Sequence, residues 1–239
     1  MRKDRLPNQL RNIEFIVNFN NYAEGSCLAK FGNTHVICTA TIEEKIPPWL
    51  KNKGLGWITA EYGMIPRSTS TRMDREASRG KQSGRTNEIQ RLIGRSLRSI
   101  VDMEKIGERQ IKIDCDVIQA DGGTRTASIS GAFLALAIAI KKFKTSFNIK
   151  EQIIKESIAA VSCGIIDNDI YLDLDYSEDS SADVDANFVM SENKKIIEVQ
   201  STAEGNPFSK EQFIEMMDLA YNGISLIIKK QKDILGKIE

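Results

Sequence analysis

Residues 110–118 alternate without a break. Ile111, Ile113, Cys115 and Val117 fall on one side, Lys112, Asp114 and Asp116 on the other. A period of two marks a half-buried strand. The strand runs through Asp121-Gly122-Gly123-Thr124-Arg125-Thr126 into an apolar helix at 127–143, ASISGAFLALAIAIKKF. Upstream, 22–31 and 34–42 are strand-like and meet at Gly32-Asn33, a hairpin signal. From about Asn87, Ile89, Leu92, Ile93, Leu97, Ile100 and Val101 follow the three–four spacing of one buried helix face. Arg91, Arg95 and Arg98 share another face, and Arg98 reads as solvated. Downstream, 158–166 and 169–175 pair around Asp167-Asn168, and 186–191 with 196–201 around Glu192-Asn193. A last helix starts near Ser209, where Gln212 completes a capping-box signature. The order is sheet, helix, helix, then sheet, helix, with no Pro/Gly-rich linker. It predicts one continuous α/β (α+β) domain over 1–239, built from two related halves of about 1–145 and 150–239.

The 239 residues contain no run of 18 apolar positions, so no membrane span is expected. The N-terminal MRKDRLPNQLR lacks the apolar core of a signal peptide. Four cysteines (Cys27, Cys38, Cys115, Cys163) lie far apart in apolar or alternating surroundings, as expected of reduced core residues in a cytoplasmic protein. His35 is the one histidine, which argues against a zinc site and against a histidine-dependent triad.

Charge is uneven although the net charge is zero. Of thirteen arginines, eight lie between Arg67 and Arg98. With Lys81 set against Asp74, Glu76 and Glu88, that window carries +6. Residues 61–81 have no apolar period and read as a long basic loop, a length that is usually functional or disordered in a compact domain. A local patch of this kind, not net charge, is what a neutral protein needs to bind a polyanion. Between Asp173 and Asp185 stand six carboxylates and no basic residue (Asp173, Asp175, Glu178, Asp179, Asp183, Asp185). On composition alone a solvated acidic loop is the plainer reading. Inside a folded domain the repulsion must be offset, and a hard divalent cation such as Mg²⁺ is the natural candidate. Basic segment and acidic cluster together suggest phosphodiester chemistry.

Arg85 in Ser83-Gly84-Arg85-Thr86 and Arg125 in Gly123-Thr124-Arg125 each stand just before a helix. A cation there opposes the macrodipole. Free backbone N–H groups, a glycine and a guanidinium together suit an oxyanion. Two such starts suggest a shared phosphate pocket, although the sequence lacks the lysine and spacing of a P-loop.

The blocks SGRTNEIQRLIGRSLR (83–98), IDCDVIQADGGTRTASISGA (113–132), LDLDYSEDSSADVDANFVM (172–190) and EVQSTAEGNPF (198–208) closely resemble the bacterial ribonuclease PH family. The resemblance begins near Arg2 and covers nearly the whole chain. It implies a duplicated βαβ-type α/β fold, with mixed sheets packed against helices. It also implies phosphorolytic 3′→5′ exoribonuclease activity on tRNA precursors and other structured RNA with 3′ tails, and a homohexamer arranged as a trimer of dimers. Carried over by position, the resemblance assigns phosphate binding to Arg85, Gly123, Thr124 and Arg125. It assigns the catalytic and metal-holding carboxylates to Asp179 and Asp185, and RNA gripping to Arg67, Arg72, Arg75 and Arg79. Ser181 and Ser201 depart from the family pattern; if glycine at 201 normally permits a strained turn, Ser201 alters it.

The implied reaction uses inorganic phosphate, held by Arg85 and Arg125, as nucleophile against the terminal phosphodiester. It releases a nucleoside 5′-diphosphate and runs in reverse as nucleotide addition. Asp185 has two readings here, ligand to Mg²⁺ or proton donor to the leaving oxygen. A non-catalytic RNA-binding ring subunit of an exosome-like assembly is the alternative, since some relatives keep the fold without cleaving. A metal-dependent hydrolytic nuclease is a weaker rival, because hydrolysis needs no second anion pocket.

Overall fold

The computed structural model describes Arg2 and residues 5–236. Two sheets and the helices between and around them make up the fold. The first sheet holds β1 (Ile13–Val17), β2 (Gly25–Phe31), β3 (Thr34–Glu43), β4 (Trp57–Met64) and β5 (Gln110–Gln119), in the order β1-β2-β3-β5-β4. β1, β2, β3 and β5 pair antiparallel, while β4 runs parallel to β5. A parallel pair needs a crossover, and α1 (Gly84–Ser99) with the short α2 (Met103–Ile106) supplies it. The second sheet is antiparallel and holds β6 (Ile158–Ile166), β7 (Asp169–Leu172), β8 (Val184–Ser191) and β9 (Ile196–Ala203), in the order β7-β6-β8-β9. A one-turn helix, α4 (Tyr176–Asp179), bridges β7 to β8, and α5 (Lys210–Leu235) closes the chain.

Helix α3 (Thr124–Ser146) joins the two halves. It packs against β2 and β3 of the first sheet and β6 of the second. By length and composition α3 could cross a membrane, but most of it lies buried between the sheets. A helix that is apolar all round has to be a core helix. Its small residues let the first sheet approach closely. A Cβ at Gly131 would stand 2.8 Å from both Ala29 Cβ and Cys38 Sγ, and one at Gly25 would run into the Ala135 carbonyl. One buried cluster, including Phe31, Phe133, Ile140, Phe188 and Ile224, spans both sheets. All four cysteines are buried and free.

Several elements depart from the sequence expectation. The first four residues of the 61–81 segment belong to β4, where Tyr62 turns inward. The rest of it is anchored at Ser68, whose carbonyl accepts from Ala120 N, and folds into a 3-10 turn at Glu76–Arg79. Helix α1 begins three residues before Asn87, because Ser83 caps it by accepting from Thr86 N. Arg98 is not a solvated face residue. Its Nη1 donates to the Ile58 carbonyl at 2.8 Å, and its guanidinium stacks 4.4 Å from the Trp57 ring centre. Spacing showed a second helix face but could not show that β4 lies against it.

The acidic tract is neutralised largely from a distance. Asp173 is fully buried and accepts from Arg11 Nη2 at 2.7 Å, Arg11 Nε at 3.1 Å and Arg11 backbone N at 2.8 Å. Arg5 stands 3.7 Å away. Glu178 takes both Arg2 and Arg5. Asp175 caps α4 in a capping box with Glu178. Arginines 162 to 176 residues away in sequence therefore do for these carboxylates what the sequence reading gave to a cation. Cutting one member of a buried pair strands the other. Asp173→Ala is expected to lower stability by about 3–5 kcal/mol, read as a shift of the urea midpoint at unchanged slope. An unchanged midpoint would mean that Arg11 finds another partner.

Candidate active site

Arg85 and Arg125 are the second residues of α1 and α3, not residues preceding them. The start of α3 is shaped by two consecutive left-handed glycines, Gly122 (φ +69°) and Gly123 (φ +64°). The turn is held on every side. Thr34 Oγ1 donates to the Gly122 carbonyl at 2.6 Å and accepts from Asp121 N, while Arg11 Nη1 donates to the Asp121 carbonyl. A Cβ on Gly122 would stand 2.6 Å from the Leu174 carbonyl, so the acidic tract's backbone presses directly on the turn. Gly123 gives α3 no side-chain cap. The first-turn amides therefore remain available to an anion. Thr124 is buried, and its Oγ1 accepts from the Tyr62 hydroxyl at 2.9 Å.

Asp179 ends α4 and Asp185 lies on β8, both partly buried. Burial pushes Asp185 up to about 6, and the neighbouring Asp179 charge adds to the effect. Arg125, a hydrogen bond from Asn187 and Arg85 pull the other way. Asp179 is also raised by burial, against the fields of Arg85, Arg125 and Arg11. Each carboxyl thus feels both arginines, and each arginine reaches both carboxyls. The fold gathers these four residues, two from each half, into one electrostatic unit.

Among the described residues no group of three or more His, Cys, Asp or Glu side chains is placed to hold a metal ion. Two adjacent, half-buried carboxylates still suit Mg²⁺, which keeps several waters and commonly takes one or two carboxylates beside substrate phosphates. The donor set at Asp179 and Asp185 fits that ion.

The guanidinium of Arg125 is itself held. Nη1 donates to Glu88 Oε1 at 3.1 Å and to Gln200 Oε1, and Gln200 Nε2 donates to the same Glu88 Oε1 at 2.8 Å. Sequence reading singled out neither Glu88 nor Gln200. Glu88 left a weak signal, one helical turn after Arg85; Gln200, on an edge strand, fell inside the 198–208 block but nothing in its charge or spacing marked it. Tyr62, Arg11 and Asn187 were also missed.

Arg67, Arg72, Arg75 and Arg79 are all exposed. Asp74 pairs with Arg79 at 2.7 Å and with Arg72 at 3.7 Å. Arg75 lies over a cavity of about 400 Å³ lined also by Glu61, Lys81, Asp114 and Asp116. Ser201 sits in ordinary extended backbone opposite Ala186, so position 201 does not require glycine here. Its buried Oγ has no hydrogen-bond partner among the described residues. Ser181 Oγ bonds to the Ser177 and Glu178 carbonyls and closes α4.

Residues 9–142 match domain 1 of the 3′ exoribonuclease (RNase PH) family, and residues 156–223 match its domain 2. The chain belongs to that family. Solved structures repeat the fold along almost the whole length. Rice (Oryza sativa) Rrp46 superimposes with a TM-score of 0.77 at 19% identity, covering 97% of this chain and 98% of its own. The Archaeoglobus fulgidus exosome with RNA bound to the active site gives 0.79 at 21% identity, covering 95% and 90%. An archaeal exosome core gives 0.70 at 20% identity, covering 96% and 88%. At these identities the likeness is one of fold.

Proposed function

We propose that this chain is a phosphorolytic 3′→5′ exoribonuclease of the bacterial ribonuclease PH type, which trims tRNA precursor 3′ ends with inorganic phosphate. The observation that carries this reading is that Arg85 and Arg125, each in the first turn of a helix, act through their charges on both Asp179 and Asp185. A hydrolase would need the carboxylates but not a second, guanidinium-lined anion site.

Phosphoryl transfer rests on positioning and charge compensation more than on covalent help from the protein. Arg85, Arg125 and the uncapped amides of α3 bind inorganic phosphate and aim one oxygen at the terminal phosphorus. That oxygen bonds to phosphorus as the bond to the upstream 3′ oxygen breaks, leaving a nucleoside 5′-diphosphate. Asp185, whose carboxyl burial raises to about 6, serves in one of two ways: protonated, it donates the proton that the departing 3′ oxygen takes up; ionised, it joins Asp179 in holding Mg²⁺. Mg²⁺ held by Asp179 and Asp185, when bound, supplies charge compensation for the phosphodiester. Arg67, Arg72, Arg75 and Arg79 grip backbone phosphates without reading sequence. In a cytoplasmic homohexamer, loops from several subunits sum their fields over one RNA.

A second reading, a non-catalytic RNA-binding ring subunit, is favoured by one observation: two of the solved structures that share the fold are archaeal exosome assemblies. One experiment separates the two. Purified protein is given a 3′-tailed tRNA precursor and Mg²⁺, with and without inorganic phosphate, and the released nucleotide is identified. The enzyme reading expects degradation only with phosphate and a nucleoside diphosphate product. RNA binding with no release favours the ring subunit, and phosphate-independent release of monophosphates overturns phosphorolysis.

A further inference from the structure

We infer that Glu88 and Gln200 are positioning residues for phosphate, forming a clamp that fixes the plane of the Arg125 guanidinium. This rests on the reading of Arg125 as a phosphate ligand. Three side chains close a ring: Arg125 Nη1 donates to Glu88 and to Gln200, and Gln200 Nε2 donates back to Glu88 Oε1. Among the described residues every protein hydrogen bond of the guanidinium uses Nη1. Among the described residues Nε and Nη2 meet no protein acceptor. They form the edge that pairs bidentately with an oxyanion. An arginine side chain has many rotamers to lose on binding. Holding Nη1 in advance reduces that loss and turns the free edge one way.

The placement of the partners supports this role. Glu88 stands one turn from Arg85 on α1, and Gln200 lies on β9, so the ring ties the helix of one half to the edge strand of the other. The clamp therefore fixes Arg125 relative to Arg85 and to the β8 strand that carries Asp185. The Glu88–Arg125 ion pair is half exposed at Glu88, where such pairs contribute little to stability. A role in holding the fold does not account for it.

The sign of one substitution separates a clamp from a bystander. A glutamate that merely sits near an anion site repels the anion, so removing its charge would tighten phosphate binding. A clamp predicts the reverse. Glu88→Ala should raise the KM for inorganic phosphate about tenfold, with kcat at saturating phosphate and the KM for RNA within about twofold of wild type. Glu88→Gln keeps an acceptor oxygen in place and should bring the phosphate KM back to within about twofold of wild type, or below it. Gln200→Leu should resemble Glu88→Ala, and the double variant should be no worse than either, because the three groups act as one unit.

The same series is read without turnover, from the rise in Tm that inorganic phosphate gives each protein. Melting in phosphate-free buffer checks that the variants are folded. An unchanged or lower phosphate KM in Glu88→Ala overturns the clamp, as does an equal rise in the KM for RNA. If the wild type binds phosphate and Glu88→Ala binds it equally well, the clamp alone falls. If the wild type shows neither phosphate-dependent melting nor phosphorolysis, the phosphate reading of Arg125 falls as well.

Discussion

Asp185→Asn is expected to abolish phosphate-dependent turnover, by about a thousandfold or more, and to make the protein more stable at pH 8. The two effects share a cause. The folded-state pKa of Asp185 is near 6, raised from 3.8 by burial and then by Asp179. Above pH 6 the carboxylate is ionised in both folded and unfolded chains, and the folded chain bears the cost of burying it. Below about pH 4 it is protonated in both, and that cost is gone. The native carboxyl therefore contributes a destabilisation that is complete above pH 6 and fades as pH falls toward 4. At pH 8 it amounts to about 2–3 kcal/mol, or roughly 4–12 °C in Tm for a chain of this size. Asparagine removes that cost and also the group proposed as proton donor or metal ligand. Melting curves from pH 4 to 8, without Mg²⁺ or phosphate, should converge at the acid end and diverge upward for the variant. A variant that melts lower at pH 8, or that still releases nucleoside diphosphate, would remove Asp185 from its role. Such a site carries strain that the rest of the fold has to offset.

How much of this was legible in the sequence depended on the range of each interaction. Local period and turn chemistry located the β2–β3 hairpin at Gly32-Asn33, the alternating β5, the apolar α3 and the Ser209 cap of α5. These signals lie within a few residues of what they determine. The 61–64 stretch escaped because its partner β5 lies about fifty residues on, and the basic residues that follow hide the alternation of Trp57–Met64. The partners of Asp173 and Glu178 in the acidic tract were hidden for the same reason. Counting charges within thirteen residues showed an unbalanced block, whereas Arg2, Arg5 and Arg11 arrive from the far end of the chain. Arg85 and Arg125 stood out by their glycine-preceded helix starts, whereas Asp179 and Asp185 were singled out from the six carboxylates only by the family resemblance. Glu88 and Gln200, common residues in ordinary elements, acquire meaning only when α1 and β9 are seen side by side.

Arg125→Ala should lower phosphate-dependent turnover about a thousandfold while leaving RNA affinity within about threefold at fixed salt. The large effect follows from what the side chain supplies. In the proposed mechanism its free Nε–Nη2 edge is the fork for the attacking anion, and its field reaches both Asp179 and Asp185. RNA affinity should hold because the arginines proposed to grip RNA lie elsewhere, on the exposed 67–79 segment. The fold should hold too. A cation in the first turn of α3 opposes the helix dipole, so its removal costs nothing on that account. The lost ion pair with Glu88 is half exposed and contributes little. Arg125→Lys should recover only a small part of the activity, since an ammonium is a point charge without a planar fork. Turnover at limiting and at saturating phosphate, alongside filter binding of tRNA, separates these claims. Near-wild-type turnover at limiting phosphate would take Arg125 out of the anion site, and a parallel loss of RNA binding would make it part of the RNA grip instead.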